Sequence, residues 1–271
     1  MSHRHNASLG RVTAQTVRFF DANAGDYLAA YETASLGGYV LRTRRTRVLD
    51  LLKGVSGRVL DVGCGPGVMA QEILDAGCEF WGVDGSPRMI AEGRRRFGSF
   101  VRAHFAVADA GALPFSDSMF DCALCVGVID RVPQPEAVIA ELGRVLKPGA
   151  SLVIAFPNLV SPYALWRSHV FYAGIGYARG LQARLWKRRR RLDLCSAARL
   201  WTSREARRIV ERRVGAVLEL AYYHFSIFLS PLDELLPAAA LETARRLERL
   251  KDTRLRWLGA GFLVKATKAS E

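Results

Sequence analysis

The chain predicts an α/β domain with a mostly parallel sheet covered by helices on both faces. Three observations carry this. Between residues 57 and 157, short apolar runs alternate with helix-like stretches, the pattern of βαβ units. Gly63, Gly65 and Gly67 follow the first of those runs and precede a helix-like stretch. Asp84 and Asp109 stand at the ends of the second and third runs, on the sheet edge where open α/β folds bind ligands.

Each element follows in order. Residues 11–53 read as two helices ahead of the sheet. Arg58–Val62 reads as a buried strand feeding the glycine turn, and Val68–Ala76 as a helix stopped by Gly77. Phe80–Asp84 is a second strand. Ser86 then offers an N-cap, with Pro87 at the first position of a helix through about Phe97. Val101–Val107 and Phe120–Val126 are the third and fourth strands. Pro135–Leu146 is a helix stopped by Lys147-Pro148-Gly149, and Ser151–Phe156 is the fifth strand. Crossovers between these parallel strands are expected to be right-handed. Residues 202–213 read as another helix, with Val214–Tyr223 and Leu258–Lys265 as two closing strands.

Between the fifth strand and that helix lies an aromatic and basic stretch. Tyr163, Trp166, Val170, Tyr177, Leu181 and Leu185 fall at helical spacing or its multiples, interrupted by Gly174, Gly176 and Gly180. The expected organisation is therefore an N-terminal helical cap (1–53), a cofactor-binding core (54–158), a helical insertion (159–201), and the remainder of the sheet with a helical excursion (202–271).

Composition sets the class of molecule. In 271 residues, half are hydrophobic and 24% are charged, enough for a sizeable core and unlike a disordered or collagen-like chain. The formal net charge is +13. That charge is unevenly spread: residues 59–158 carry a net −4 and residues 159–213 a net +11. Its maximum is Lys187–Arg191, in the insertion. Three readings of this run stay open: a solvated helix end, a peripheral contact with anionic membrane or an acidic carrier, or nucleic-acid binding. The last has the least support, since no nucleic-acid module and no regularly interleaved stacking aromatics accompany the run.

The first twelve residues lack an apolar signal region, and the five cysteines are scattered and odd in number, which suits reduced thiols in a cytoplasm. Peripheral membrane attachment through the insertion is compatible with that. Val214–Leu232 is the most membrane-like stretch, but Glu219, His224 and Pro231 interrupt it, so it reads as a buried strand plus loop. Cys122 and Cys125 are three apart on a strand and point to opposite faces, so neither a dithiol nor a metal site is expected there; no metal is predicted anywhere.

The strongest local signal is Leu60-Asp-Val-Gly-Cys-Gly-Pro-Gly67. Glycine at the carboxyl end of a strand lets backbone approach a ligand with no Cβ in the way. The spacing is G-x-G-x-G, not the dinucleotide G-x-G-x-x-G, and the G-K-[ST] of a triphosphate loop is absent. Asp84 lies 17 positions after Gly67, where a carboxylate accepts from ribose hydroxyls. Asp109, in Ala-Val-Ala-Asp-Ala, is placed to accept from an exocyclic adenine amine. The plainer readings are a tight strand–helix turn for the glycines and turn or capping roles for the two aspartates.

Taken together these stretches resemble the class I S-adenosylmethionine (SAM)-dependent methyltransferases. The nearest likeness is to the group containing ubiquinone and menaquinone biosynthesis enzymes and many small-molecule, natural-product methyltransferases. The matching segments are Val59–Gly67, Gly82–Met89 (which spans Asp84, Gly85, Ser86 and Met89), Asp109 with Leu113–Phe115, Phe120-Asp121 and Arg144–Gly149, over about 100 residues. The resemblance implies a Rossmann-like seven-stranded sheet whose last strand is antiparallel. It also implies that Asp61 and the loop Gly63, Cys64, Gly65, Gly67 meet the methionine part of SAM. Asp84 would meet the ribose, Asp109 with Ala110 the adenine, and Val126 and Gly127 the surroundings of the sulfonium. Tyr27 corresponds to a residue that covers the cofactor. Where the family often has Glu-His after the fourth strand, this chain has Asp130-Arg131. Arg131 is therefore read either as a partner of an anionic substrate group or as an ion pair with Asp130.

The implied reaction is in-line displacement at a sulfonium methyl, in which the protein supplies alignment, a dry pocket and, where needed, a base. Candidate bases are His169, His224 and Tyr223, with Asp130 behind them; a dedicated base is not required. The acceptor is expected over the carboxyl edge of the sheet. Tyr31, Tyr39, Tyr163, Trp166 and Tyr222, with Phe171 and Tyr172, are candidates to line a pocket for a lipophilic or aromatic small molecule. The same aromatics serve equally well as the lid's own core. O-methylation is the leading expectation. Its alternatives are C-methylation of a quinone-like ring, a nucleic-acid methyltransferase, and a SAM-binding protein without turnover.

Overall fold

The computed structural model describes residues 15–166, 199–228 and 232–270. The predicted base His169, the aromatics Phe171 and Tyr172, and the Lys187–Arg191 run lie outside them. Seven strands form one sheet in the order β3-β2-β1-β4-β5-β7-β6. They are β1 Arg58–Val62, β2 Glu79–Asp84, β3 Ala103–Val107, β4 Phe120–Cys125, β5 Leu146–Pro157, β6 Val217–Tyr223 and β7 Gly261–Thr267. β1 to β5 are mutually parallel, while β7 pairs antiparallel with both β5 and β6. The strand order reverses between β1 and β4. That switch point opens a crevice at the strands' carboxyl ends, the ligand position of open α/β sheets.

The two sheet faces carry separate cores, as period-two alternation requires. Val59, Cys122, Leu124, Val153 and Leu263 face one side. Against them pack α3 (Leu36–Leu51), α4 (Ala70–Asp75) and α5 (Pro87–Phe97) through Val48, Leu51, Ile73, Leu74, Ile90 and Phe97. Leu60, Val62, Ala123, Cys125, Leu152 and Ile154 face the other side. There the covering helices are α6 (Pro135–Val145) and the helix Ser203–Arg213, through Val138, Ile139, Leu142, Ala206, Ile209 and Val210. Each fully buried large apolar side chain, such as Phe80, Phe120 or Leu124, contributes about 1.5–3 kcal/mol. Cys122 and Cys125 thus belong to opposite cores, as their spacing predicts, and burial raises both thiol pKa values.

Capping decides several boundaries. Ser86 accepts from Met89 N at 3.2 Å and Pro87 occupies the first turn of α5, whose last turn holds Arg94, Arg95 and Arg96 beside the negative helix end. Thr202 caps the helix Ser203–Arg213 by accepting from Glu205 N at 3.1 Å. The helix after the glycine loop starts at Ala70, two residues later than predicted. Gly67 has φ +75° and its N–H bonds Cys64 O at 3.1 Å, so the chain is still turning there. The N-terminal region holds three helical pieces where two were expected: α1 (15–22), the single turn α2 (Ala29–Glu32) and α3. Thr33 to Ser35 separate the last two, and Ser35 recaps the chain by accepting from Gly38 N. The closing strands start about three residues later than the hydrophobic runs imply. Gly215, at φ +154°, and the bend 259–260 occupy the difference. No helix among the described residues is long and apolar enough to cross a membrane, and the stretch Val214–Leu232 contains β6.

Candidate active site

The glycine loop is held by backbone bonds across the first two strands. Gly63 and Cys64 both donate to Val83 O, at 2.7 and 3.0 Å. Gly63 sits at φ +76°, and a Cβ there would collide with Val128 Cγ2. Neither the backbone angle nor the space admits another residue. Cys64 is buried, with its sulfur lying against Gly82; burial first, then the charges of Asp61 and Asp84, keep it a thiol.

Two carboxylates flank this loop. Asp84 ends β2, and its oxygens accept from Gly65 N at 3.0 Å and Ser86 N at 2.8 Å. Burial raises its pKa, and those two backbone bonds act in the opposite direction. Each oxygen retains a second lone pair, so the carboxylate can hold the loop and still accept from a ligand hydroxyl. Asp61, in β1, is 3% exposed, and no donor among the described residues is paired with it. Burial first, and the charge of Asp84 second, push its pKa up to about 7. A buried, undonated carboxylate beside a second one forms a site that favours a cation or a hydrogen-bond donor.

The N-terminal segment lies across the mouth of the crevice. Asp21 of α1 accepts from Ser86 Oγ at 2.7 Å and from Arg88 N at 3.0 Å, pinning α1 to the start of α5. Val17 packs on Gly85. The Tyr27 ring rests on Gly65, 3.5 Å from where a Cβ would stand, and Met89 approaches the same point at 3.9 Å. Burial raises the pKa of the Tyr27 hydroxyl, which keeps it protonated. Phe20 and Tyr31 flank its ring at 6.1 and 5.9 Å. At the far end of the crevice, Arg44 of α3 covers Gly127, just beyond β4; a Cβ there would meet Arg44 Nη1 at 3.2 Å. Tyr31 hydrogen-bonds that guanidinium, and Tyr27 and Tyr223 lie within electrostatic reach of it.

The other predicted residues are spread more widely. Asp109 is exposed, and its Oδ1 accepts from Gly111 N at 2.8 Å, closing a turn that also carries Ala110. Val126 packs beneath the crevice against the α3-side core. Arg131 pairs with Asp130 at 3.8 Å and lies 5.3 Å above the Phe20 ring. Tyr223 and Tyr222 go to opposite faces of β6. Tyr223 packs in the α3-side core within electrostatic reach of Arg44, whereas Tyr222 packs against Phe262 at 5.6 Å in the other core. Tyr222 is therefore a core residue, a correction that alternation along a strand explains. His224, with φ +58°, is buried edge-on to the ring of Tyr163 at 5.1 Å. The half-buried Trp166 closes the same described segment. Tyr39 faces the helix Pro237–Leu247 and lines an open cavity of about 390 Å³ with Arg42, Thr46, Arg47, Arg245 and Glu248. It therefore lies on a different face of α3 from Arg44.

Arg44 is the residue that the sequence reading misses. It lies in a run of basic residues, Arg42-Thr-Arg-Arg-Thr-Arg47, with no motif to mark it. The available signal was helical phase: residues 41, 48 and 51 face the core, and position 44 falls on their stripe.

The arrangement fits an adenosyl ligand: a glycine cradle, a ribose-type carboxylate at the end of β2, and a buried carboxylate under the switch point. No group of three or more metal-ligating side chains occurs among the described residues. Comparison with known proteins agrees. Residues 59–149 match the family model of a methyltransferase domain. A demethylmenaquinone methyltransferase from Renibacterium salmoninarum is 36% identical over 152 residues, covering 55% of this chain and 61% of that protein. The chain thus spans about three-fifths of the length of such curated relatives. Among solved structures, a complex between the Haloferax volcanii Trm112 methyltransferase activator and a methyltransferase superposes with TM-score 0.62 at 21% identity, covering 93% of this chain and 98% of that one. A SAM-dependent methyltransferase from Thermotoga maritima gives TM-score 0.56 at 19% identity, with 93% and 99% covered. These structures share the fold of this chain, a seven-stranded mostly parallel sheet covered by helices on both faces.

Proposed function

We propose that this chain, whose residues 59–149 form a methyltransferase domain, transfers a methyl group from SAM to a small hydroxylated aromatic acceptor. The observation that carries the reading is the pair of carboxylates, buried Asp61 and half-buried Asp84, on either side of the glycine loop at the sheet's switch point. SAM, when bound, supplies an electrophilic methyl on a cationic sulfur.

The chain's own residues do the rest. Asp84 orients the ribose while holding Gly65 and Ser86, and Asp109 with Ala110 borders the adenine. Asp61 stabilises the cationic end of the ligand, and Tyr27 closes over it. Alignment and exclusion of water are the main catalytic contributions, because the displacement needs a straight approach to the methyl carbon and gains from a dry site. Methylation of a hydroxyl oxygen is the favoured outcome. The names of the menaquinone-type relatives support the ring-carbon alternative, which proceeds from the same ionised hydroxyl.

The test is calorimetric titration with S-adenosylhomocysteine, followed by transfer of isotopically labelled methyl from SAM to a panel of phenols and hydroquinones. NMR of the products would assign oxygen or carbon. Absence of S-adenosylhomocysteine binding would remove the cofactor reading. Binding without transfer to any acceptor would favour a SAM-binding protein without turnover.

A further inference from the structure

Four arginines crowd α3, and three have ordinary structural partners. Arg42 donates to the carbonyl oxygens of Tyr31 and Thr33. Arg45 pairs with Glu72, and donates to Val68 O at 3.1 Å. Arg47 pairs with Glu248 at 3.4 Å. Arg44 differs. Among the described residues no carboxylate lies within ion-pair distance of it; the Tyr31 hydroxyl hydrogen-bonds it, and the phenols of Tyr27 and Tyr223 lie within electrostatic reach. Phenols supply weak acceptors and no formal charge. A guanidinium in such surroundings lacks the counter-ion that partly buried charges normally have.

Its position in the sheet gives that lack a direction. The two carboxylates of the crevice lie on β1 and β2. Arg44 lies over Gly127, at the end of β4, and beside Tyr223, at the end of β6. It therefore stands on the half of the sheet opposite the ribose carboxylate. The crevice has a negative end and a positive end, with the switch point between them.

We propose that Arg44 is the acceptor-binding residue of this site, holding an ionised oxygen, phenolate or carboxylate, of an aromatic acceptor against Gly127. The inference rests on the methyltransferase reading and deepens it by naming the substrate class. A planar fork of N–H donors suits an oxyanion better than a neutral group, and charge-assisted bonds of this kind are the strong ones. The three tyrosines then act as the aromatic wall and as further donors. For a phenolic acceptor the guanidinium also favours the ionised, nucleophilic form. The oxygen then attacks the methyl carbon, the carbon–sulfur bond breaks, and its electron pair stays on sulfur as the neutral thioether.

The experiment uses the full chain saturated with S-adenosylhomocysteine and two probes, salicylate and its neutral analogue salicylamide. Calorimetry should show a preference of at least tenfold for salicylate. Arg44→Met should abolish that preference while leaving the affinity for S-adenosylhomocysteine within twofold. Arg44→Lys, which keeps the charge without the fork, should retain part of the preference and gives the reading if the methionine variant melts early. No preference in the wild type, including binding of neither probe, would overturn the proposal. So would a tenfold loss of S-adenosylhomocysteine affinity with the salicylate preference intact, which would assign Arg44 to the cofactor's carboxylate. Failure of the methyltransferase reading is separately visible: the wild type would not bind S-adenosylhomocysteine at all.

Discussion

The two ends of the crevice are built in different ways. At the β1–β2 end, Gly63, Cys64, Gly65, Asp84 and Ser86 fall within 24 consecutive residues and are tied together by backbone N–H groups donating to Val83 O and to the Asp84 carboxylate. At the β4–β6 end, Tyr27, Tyr31, Arg44 and Tyr223 come from a turn, the helices α2 and α3 and a distant strand, and act on each other through side chains. The first end is acidic and rigid by construction. The second is basic and aromatic, and depends on how the N-terminal segment docks. The difference teaches which part of the site is fixed locally: the loop's own backbone bonds set its shape, whereas the other end takes its shape from the docking of separate elements.

Four experiments would break or sharpen that contrast. The largest effect is expected at Gly63. Substitution by alanine forces a left-handed backbone angle on a residue with a Cβ and drives that atom into Val128. A loss of about 3 kcal/mol in urea unfolding is expected. A loss below about 1 kcal/mol would mean that the loop is not backbone-constrained.

Asp84→Ala comes next. It removes the acceptor of Gly65 and Ser86 together with the proposed acceptor of the ribose hydroxyls, and calorimetry should show S-adenosylhomocysteine bound at least tenfold more weakly, as expected for charged hydrogen bonds of about 1.5–3 kcal/mol. Unchanged affinity would move the ribose site elsewhere.

The third concerns pH. The Asp61 carboxyl keeps its proton up to about pH 7 in the fold, whereas in the unfolded chain it ionises near 3.8. Between those values the folded state binds more protons, so its contribution to stability is complete below about pH 4 and falls as pH rises to about 7. The slope is up to about 1.4 kcal/mol per pH unit. Unfolding of the ligand-free protein across that range should show the decline, and Asp61→Asn should flatten it. An identical slope in the variant would remove Asp61 as its source.

The smallest effect is expected at Tyr27→Phe. The ring still rests on Gly65, so S-adenosylhomocysteine affinity should change by less than threefold. A tenfold loss would show that the hydroxyl, not the ring, serves the ligand.

Much of this was legible beforehand, for particular reasons. The strands β1 to β5 each centre on a short apolar run, and their order along the chain follows from βαβ alternation. Ser86-Pro87 marks the start of α5 because an N-cap and a first-turn proline are local chemistry. The α4 start was misplaced because Gly67 still belongs to the turn. Tyr222 and Tyr223 could not be assigned to faces without the phase of β6, which only its pairing with β7 sets. Asp130-Arg131 forms the pair that was one of the two readings, at 3.8 Å, with Phe20 beneath it.

By itself the sequence determined the sheet's βαβ order, the glycine loop with Asp61 and Asp84, and the separation of the acidic core from the basic insertion. These depend on residues close together in the chain, where backbone geometry and capping act directly. Only the tertiary structure decided that Tyr27 covers Gly65, that Tyr222 turns into the core, and that Arg44 stands over Gly127 among three tyrosines. Such contacts join positions far apart in the chain, and the phase and docking of whole elements choose them.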